Sequence, residues 1–223
     1  MSEEITPELW ERSDAYHNSF LIGPDEPLEH ARTRSEAHGL PAIAISTAQG
    51  KLLNLVARSI SAKRILEVGT LGGYSTIWLA RALPEDGQLM TAELNPKHAE
   101  VAELNVAHAG LSSKVKILVG PAAETLANLH PEQPFDLAFI DADKIGNLAY
   151  FLEAKRLVRK GGVIIVDNVV RGGSVADPST KDNNSEGVRK LLNYLKTDVE
   201  VDATTIATVG EKGYDGFLYA IRL

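Results

Sequence analysis

The sequence predicts an α/β protein built on one doubly wound, mostly parallel sheet. Two observations carry that expectation. From Arg64 onward, short β-rich runs alternate with helical segments, the pattern of strand-helix-strand units with parallel strands. At the end, VEVDATTIATV and DGFLYAIRL follow one another through the turn-rich stretch from Gly210 to Gly216 with no helix between them, which predicts an antiparallel hairpin closing the sheet edge. Five alternating strands and the hairpin give a seven-stranded sheet. At 223 residues and 44% hydrophobic, the chain fits a single domain, 1–223, with N-terminal helices over 1–62 and the sheet core over 63–223.

The elements follow in order. Residues 7–21 read as a helix with Thr6 as N-cap and Pro7 in the first position, and with Leu9, Ala15, Phe20 and Leu21 among its apolar residues. A second helix spans about 27–38 and ends at Gly39. From Ser46 to Ile60 a helical stripe places Leu52, Leu53, Val56, Ala57 and Ile60 on one face. RILEVG, QLMTAEL, VKILVG, FDLAFID and GVIIVDN are the five strands, each followed by a helical segment. The polar stretch ADPSTKDNNSEG, residues 176–187, separates the fifth strand from the last helix and reads as a mobile lid loop.

Composition narrows the function. Thirty acidic against 23 basic residues give a net charge of -7 with no basic block, so nucleic acid is not an expected partner. With no cysteine, disulfides and zinc-thiolate sites are excluded, and any metal must be held by oxygen or imidazole. The opening MSEEITPELWERSDAYHNSF is acidic and lacks an apolar signal core, and no stretch approaches the roughly eighteen apolar residues of a membrane span. A cytoplasmic chain with no membrane partner is expected.

In a doubly wound sheet, ligands bind beyond the carboxyl ends of the strands. The first such end reads Glu67-Val68-Gly69-Thr70-Leu71-Gly72-Gly73-Tyr74-Ser75. Its glycines let backbone approach a ligand, and Ser75 enters the following helix; tight turns also use glycine for packing alone. The spacing is GxxGG rather than the GxGxxG of dinucleotide sites. The second strand ends at Glu93, 24 residues after Gly69, where a carboxylate can accept from both hydroxyls of a ribose or simply enter the next helix. Together these two ends suggest an adenosine-containing cofactor. The third end, Gly120-Pro121-Ala122, suits backbone contact with a flat ring and equally suits plain turning.

The fourth and fifth ends are the sharpest. Asp141-Ala142-Asp143-Lys144 and Asp167-Asn168 put two carboxylates and an amide oxygen on one sheet edge, three hard donors for Mg²⁺, with Mn²⁺ or Ca²⁺ as alternatives, and open positions for water and substrate. The competing reading is that Asp141 and Asp167 cap helices while Asn168 shapes a turn. Lys144, three residues beyond Asp141, is a candidate general base if a cation depresses its pKa, and otherwise a solvated cation. None of the six histidines, at 17, 30, 38, 98, 108 and 130, lies beside these pairs.

The segments AISTAQGKLL, RILEVGTLGGYSTIWLA, DADK, GGVIIVDNVV and KGYDGF together resemble the cation-dependent O-methyltransferases, the family of catechol and caffeoyl-coenzyme A O-methyltransferases, in its bacterial small-molecule form. The resemblance implies a Rossmann-like methyltransferase fold and the cofactor S-adenosylmethionine (SAM). It implies that Ile45, Glu67, Gly69, Thr70, Ser75, Glu93, Ala122 and Asp141 surround SAM, with Glu93 on the ribose and Ala122 near the adenine. It further implies that Asp141, Asp167 and Asn168 bind the divalent cation beside Lys144, and that the protein is a homodimer. Gly172 stands where plant members acting on coenzyme A esters tend to carry asparagine. The loop 171–187 and the N-terminal helices, from which this family draws its acceptor pocket, differ as well, so the acceptor stays open within the class of phenolic small molecules.

In the expected reaction the cation chelates two adjacent acceptor oxygens, Lys144 takes a proton and the methyl moves by direct displacement. Three rivals are weaker. An NAD-dependent oxidoreductase lacks its glycine turn, and a non-catalytic platform sits poorly with intact DADK and DN. A hydrolase using Asp141, Asp143 and Asp167 lacks a second metal cluster or a base.

Overall fold

The computed structural model describes residues 6–223, so the opening Met1–Ile5 of the stretch read for a signal core lies outside the described residues. Helices α1 (Pro7–Leu21), α2 (Glu26–Ala37) and α3 (Thr47–Ser59) precede strand β1 (Arg64–Val68). Alternation then runs through α4 (Tyr74–Ala80), β2 (Gln88–Glu93), α5 (Pro96–His108), β3 (Val115–Val119), α6 (Ala122–Ala127), β4 (Phe135–Ile140), α7 (Asn147–Leu157), β5 (Val158–Val166) and α8 (Asn183–Leu195). The hairpin β6 (Val201–Gly210) and β7 (Gly213–Arg222) completes the chain. The seven strands lie in the order β3-β2-β1-β4-β5-β7-β6, the first five parallel and β7 antiparallel to both β5 and β6.

The central strands are apolar on both faces because helices cover both faces. Ile65, Leu137, Phe139, Val163 and Ile165 point to the layer formed by α2 to α5. Leu66, Val68, Ala138, Ile140, Ile164 and Val166 point to the layer of α6 to α8. Each such Leu, Ile, Val or Phe stabilises the fold by about 1.5–3 kcal/mol through removal from water. Among the described residues, no helix is long and apolar enough to cross a membrane.

Helix α1 has the expected bounds and Thr6 at its N-cap; it buries none of its residues, and Phe20 and Leu21 are 73% and 72% exposed. Three expectations need correction. β5 begins at Val158, directly after α7, not at Gly162, because a bulge with Gly161 at φ 72° lets the strand pair with Phe135 before its main register with β4. The hairpin turn is only Glu211-Lys212. Gly216 lies inside β7, where a Cβ would collide with the carbonyl of Ile206 on β6.

The third correction concerns the lid. Asp182 caps α8 by accepting from Asn184 N and Ser185 N, both at 3.0 Å, so the end of the polar stretch is helix. Ahead of it, Arg189 spends all five guanidinium N–H donors on the carbonyls of Ser174, Val175, Asp177 and Thr180 and on the Glu186 carboxylate. The segment is pinned, and none of its residues lines either of the cavities at the sheet edge. Arg189→Ala is expected to cost roughly 2 kcal/mol in urea unfolding and to open the bond after Lys181 to trypsin; an unchanged digestion pattern would restore the lid.

Candidate active site

The ladder of the sheet continues one residue past the strand ends. Asp141 N donates to Val68 O at 2.8 Å, Asp167 N to Ile140 O at 2.9 Å, and Gly69 N to Ala92 O at 2.9 Å. Those three bonds set the backbones of Gly69, Asp141 and Asp167 side by side on one lip. Gly69, at φ 101°, is obligatory there, since a Cβ would drive into the carbonyl of Asp141.

Above the lip lies a cavity of about 560 Å³, within the range of small-molecule and cofactor sites. Ile45, Gly69, Thr70, Ser75, Glu93 and Ala122 all line it, and Asp141, Lys144 and Asn168 form one end. Glu67 does not line it. The strand alternation aims its side chain at α4, where it is fully buried and accepts from Ser75 Oγ at 2.6 Å and from Thr76 Oγ1. Glu67 therefore holds Ser75 in the cavity wall instead of touching the contents. Burial is the largest cause pushing its carboxyl up to about 7, against the hydroxyl bonds that favour the anion.

Glu93 shapes the glycine turn as well as facing the cavity. Its Oε2 accepts from Thr70 N at 3.1 Å and Leu71 N at 2.8 Å, and its Oε1 accepts from Asn95 N at 2.9 Å. These bonds hold Leu71 in the left-handed region at φ 49°, a conformation that a non-glycine residue rarely adopts unaided. His98 Nδ1 stands 3.4 Å from Oε1. Ala122 opens α6 and brings little beyond its backbone to the wall.

At the other end Lys144 Nζ donates to Asp141 Oδ1 at 2.8 Å. Asp143 caps Gly146 N at 2.9 Å and accepts from Tyr150 Oη, which occupies the acid the hydrolase reading needed as a ligand. Asp167 is 5% exposed. Burial raises its pKa, the charge of Asp141 raises it further, and Lys144 opposes both. Asn168 sits at φ 55° and lines the main cavity and also a second one of about 220 Å³. The second cavity is walled by Asp167, Gln49, Leu52, Phe217 and the hairpin tip at Gly210 to Gly213. Thus one member of the predicted stripe on α3, Leu52, serves a cavity and not the core. Among the described residues, no three His, Asp or Glu side chains converge on one point; the hard donors here are two carboxylates and one amide.

Sequence reasoning missed several participants. Tyr74 lies under the Arg32 guanidinium at 4.5 Å and bonds Thr47 Oγ1 at 3.2 Å, and nothing in its local sequence marks it. The hairpin tip is anchored by Glu211, whose N donates to Asp14 at 2.9 Å and whose carboxylate accepts from Thr47 N at 3.3 Å. These contacts join positions more than 160 residues apart, beyond the reach of spacing arguments.

Residues 22–220 match a family model described as O-methyltransferase. The chain is 50% identical over 208 residues to a catechol O-methyltransferase of Mycobacterium tuberculosis, covering 93% of this chain and 94% of that protein. An O-methyltransferase from Bacillus cereus, solved in complex with SAH, superposes with TM-score 0.95 at 43% identity, covering 98% of this chain and 100% of the other. An O-methyltransferase from Streptomyces achromogenes involved in tomaymycin synthesis, solved in complex with SAM, superposes with TM-score 0.94 at 46% identity over 98% and 99% of the two chains.

Glu67 gives this site a measurable signature. Below about pH 4.5 the acid is protonated in the folded and unfolded chains alike; as pH rises to about 7 the unfolded chain ionises first, so the folded state loses stability through that window. The loss is up to roughly 3 kcal/mol. Glu67→Gln removes the titration, so its stability relative to the parent is expected to rise by that amount between urea melts at pH 4.5 and pH 7.5. Parallel profiles would show that Glu67 is not buried as described.

Proposed function

The chain belongs to the O-methyltransferase family, and from that membership we propose that it moves a methyl group from SAM to a phenolic, catechol-like hydroxyl of a small molecule with the help of a divalent cation. One observation carries the reading: the two cavities meet at Asn168, with Asp141 on the larger side and Asp167 on the smaller. A donor in the first and an acceptor in the second would face each other across the hard oxygen donors. The SAM-bound and SAH-bound relatives support SAM as the methyl donor, and the catechol O-methyltransferase relative supports the acceptor class.

The residues fit both groups. Around SAM, the wall offers Ile45, the backbone of Gly69 and Thr70, Ser75 held by Glu67, and the remaining acceptor site of the Glu93 carboxylate for a ribose hydroxyl. Three of roughly four lone-pair sites on Glu93 are taken by backbone N–H groups, so its grip on the ribose and its grip on the turn are one arrangement. SAM supplies a methyl on a positive sulfur and leaves as the neutral thioether.

For the cation, the chemistry of the donor set decides. Burial first, and then the charge of Asp141, raise the Asp167 pKa against the Lys144 ammonium, and a hard dication held between the two carboxylates would offset both. When bound, such a cation lowers the pKa of a phenol and orients vicinal oxygens. Lys144 Nζ, 2.8 Å from Asp141 at the end of the larger cavity, would serve as general base for a hydroxyl presented at the boundary with the smaller one. Residues Leu52 and Phe217 in the smaller cavity offer apolar contact to an aromatic ring and help exclude water.

The test is methyl transfer from labelled SAM to a panel of catechols, caffeoyl esters and flavonoids, with Mg²⁺ and with EDTA. EDTA is expected to abolish product, and Asp141→Ala to lower kcat/KM by roughly 100-fold or more, at or beyond the upper end for outer-shell losses. Transfer that survives EDTA would end the cation reading. Calorimetry showing no SAM binding would end the cofactor reading.

A further inference from the structure

We propose that Asp215 is a positioning residue that fixes which end of the Asn168 amide faces the cavities. The inference rests on the reading of Asn168 as a cation ligand, and goes beyond it by naming the group that makes the amide competent. Asp215 Oδ2 accepts from Asn168 Nδ2 at 3.0 Å, and its Oδ1 accepts from Val170 N at 3.1 Å, Arg171 N at 2.7 Å and Gly216 N at 2.9 Å. Val169 N donates to Gly216 O at 2.9 Å, so β7 clamps the whole segment from Asn168 to Arg171.

The clamp explains two anomalies. Asn168 and Arg171 both adopt left-handed backbone, at φ 55° and 54°, which is unfavourable for side chains larger than glycine's, and each is held by a bond to Asp215. The chemistry of the contact then fixes polarity. An ionised carboxylate has no proton to donate, so the amide must turn its NH₂ toward Asp215. The carbonyl oxygen Oδ1 is then the end free of Asp215, available to the cavities that Asn168 lines. With the amide reversed, two N–H donors would confront the cation and Asn168 could not act as its ligand.

A pair of isosteric variants separates this role from general support of the fold. In Asp215→Asn, one amide oxygen can keep the three backbone bonds, but an NH₂ replaces Oδ2 and forces the Asn168 amide to reverse. In the double variant Asn168→Asp with Asp215→Asn, the donor and acceptor are exchanged and an oxygen faces the cation again. Mn²⁺ binding to the full chain, read by electron paramagnetic resonance without SAM or acceptor, is the measurement, with thermal melting alongside. Asp215→Asn is expected to melt within a few degrees of the parent and to bind Mn²⁺ 10- to 100-fold more weakly; the double variant is expected to regain most of that loss. Parent-like Mn²⁺ affinity in Asp215→Asn, or no recovery in the double variant, overturns the role of Asp215 alone. If the parent binds no Mn²⁺, the cation reading falls and this inference with it.

Discussion

The register of the parallel strands β1, β4 and β5 is the constraint from which the site follows. Because the ladder runs one residue beyond the apolar strands, the first polar residues after them are locked by backbone bonds to the carbonyls of Val68 and Ile140. Asp141 and Asp167 are thus held by main chain before any side-chain contact forms. A slip of one residue would turn both acids to the opposite face of the sheet and bury them in the core without partners. The continuous apolar runs that precede them make that slip costly, so the packing that stabilises the fold also aims the chemistry.

Around this lip the polar groups are arranged in two tiers. Ser75, Asp141, Lys144 and Asn168 face the cavities, and Glu67 behind Ser75 and Asp215 beside Asn168 hold those two in place. The rear tier is where the polar groups bear their desolvation cost, most plainly at Glu67, a carboxyl at a strand position whose neighbours on the same face are Ile65, Leu137 and Phe139. Glu67 is tolerated there because the hydroxyls of Ser75 and Thr76 both donate to it.

Much of this was legible in the sequence. The five strands, the hairpin and the helices between them follow from apolar periodicity, and the strand-end rule led to Gly69, Glu93, Asp141, Asp167 and Asn168 directly. What escaped has identifiable physical causes. The resemblance puts Glu67 around the cofactor, and nothing local distinguishes an acid that faces a ligand from one that supports a serine eight residues on. The polar run at 176–187 resembles a free loop because its restraint comes from Arg189, four of whose five donors act on backbone carbonyls that any sequence would offer. Asp215 lay inside a motif, KGYDGF, whose partner segment is over 40 residues away in sequence, so only the pairing of β7 with β5 could reveal it.

The strand order β5-β7-β6 has a kinetic meaning. β6 has its ladder with β7 alone, so the hairpin forms through local contacts, quickly, and then docks as a unit on the edge of β5, a contact between segments some 55 residues apart. Docking of this kind is slow relative to hairpin formation. Until it happens Ile164 and Val166 present an unpaired, apolar edge, the form in which a sheet protein is most prone to associate wrongly. The same hairpin carries the tip that walls the second cavity and the Asp215 carboxylate bonded to Asn168, so the pairing of β7 with β5 joins the last part of the sheet to the cavity wall.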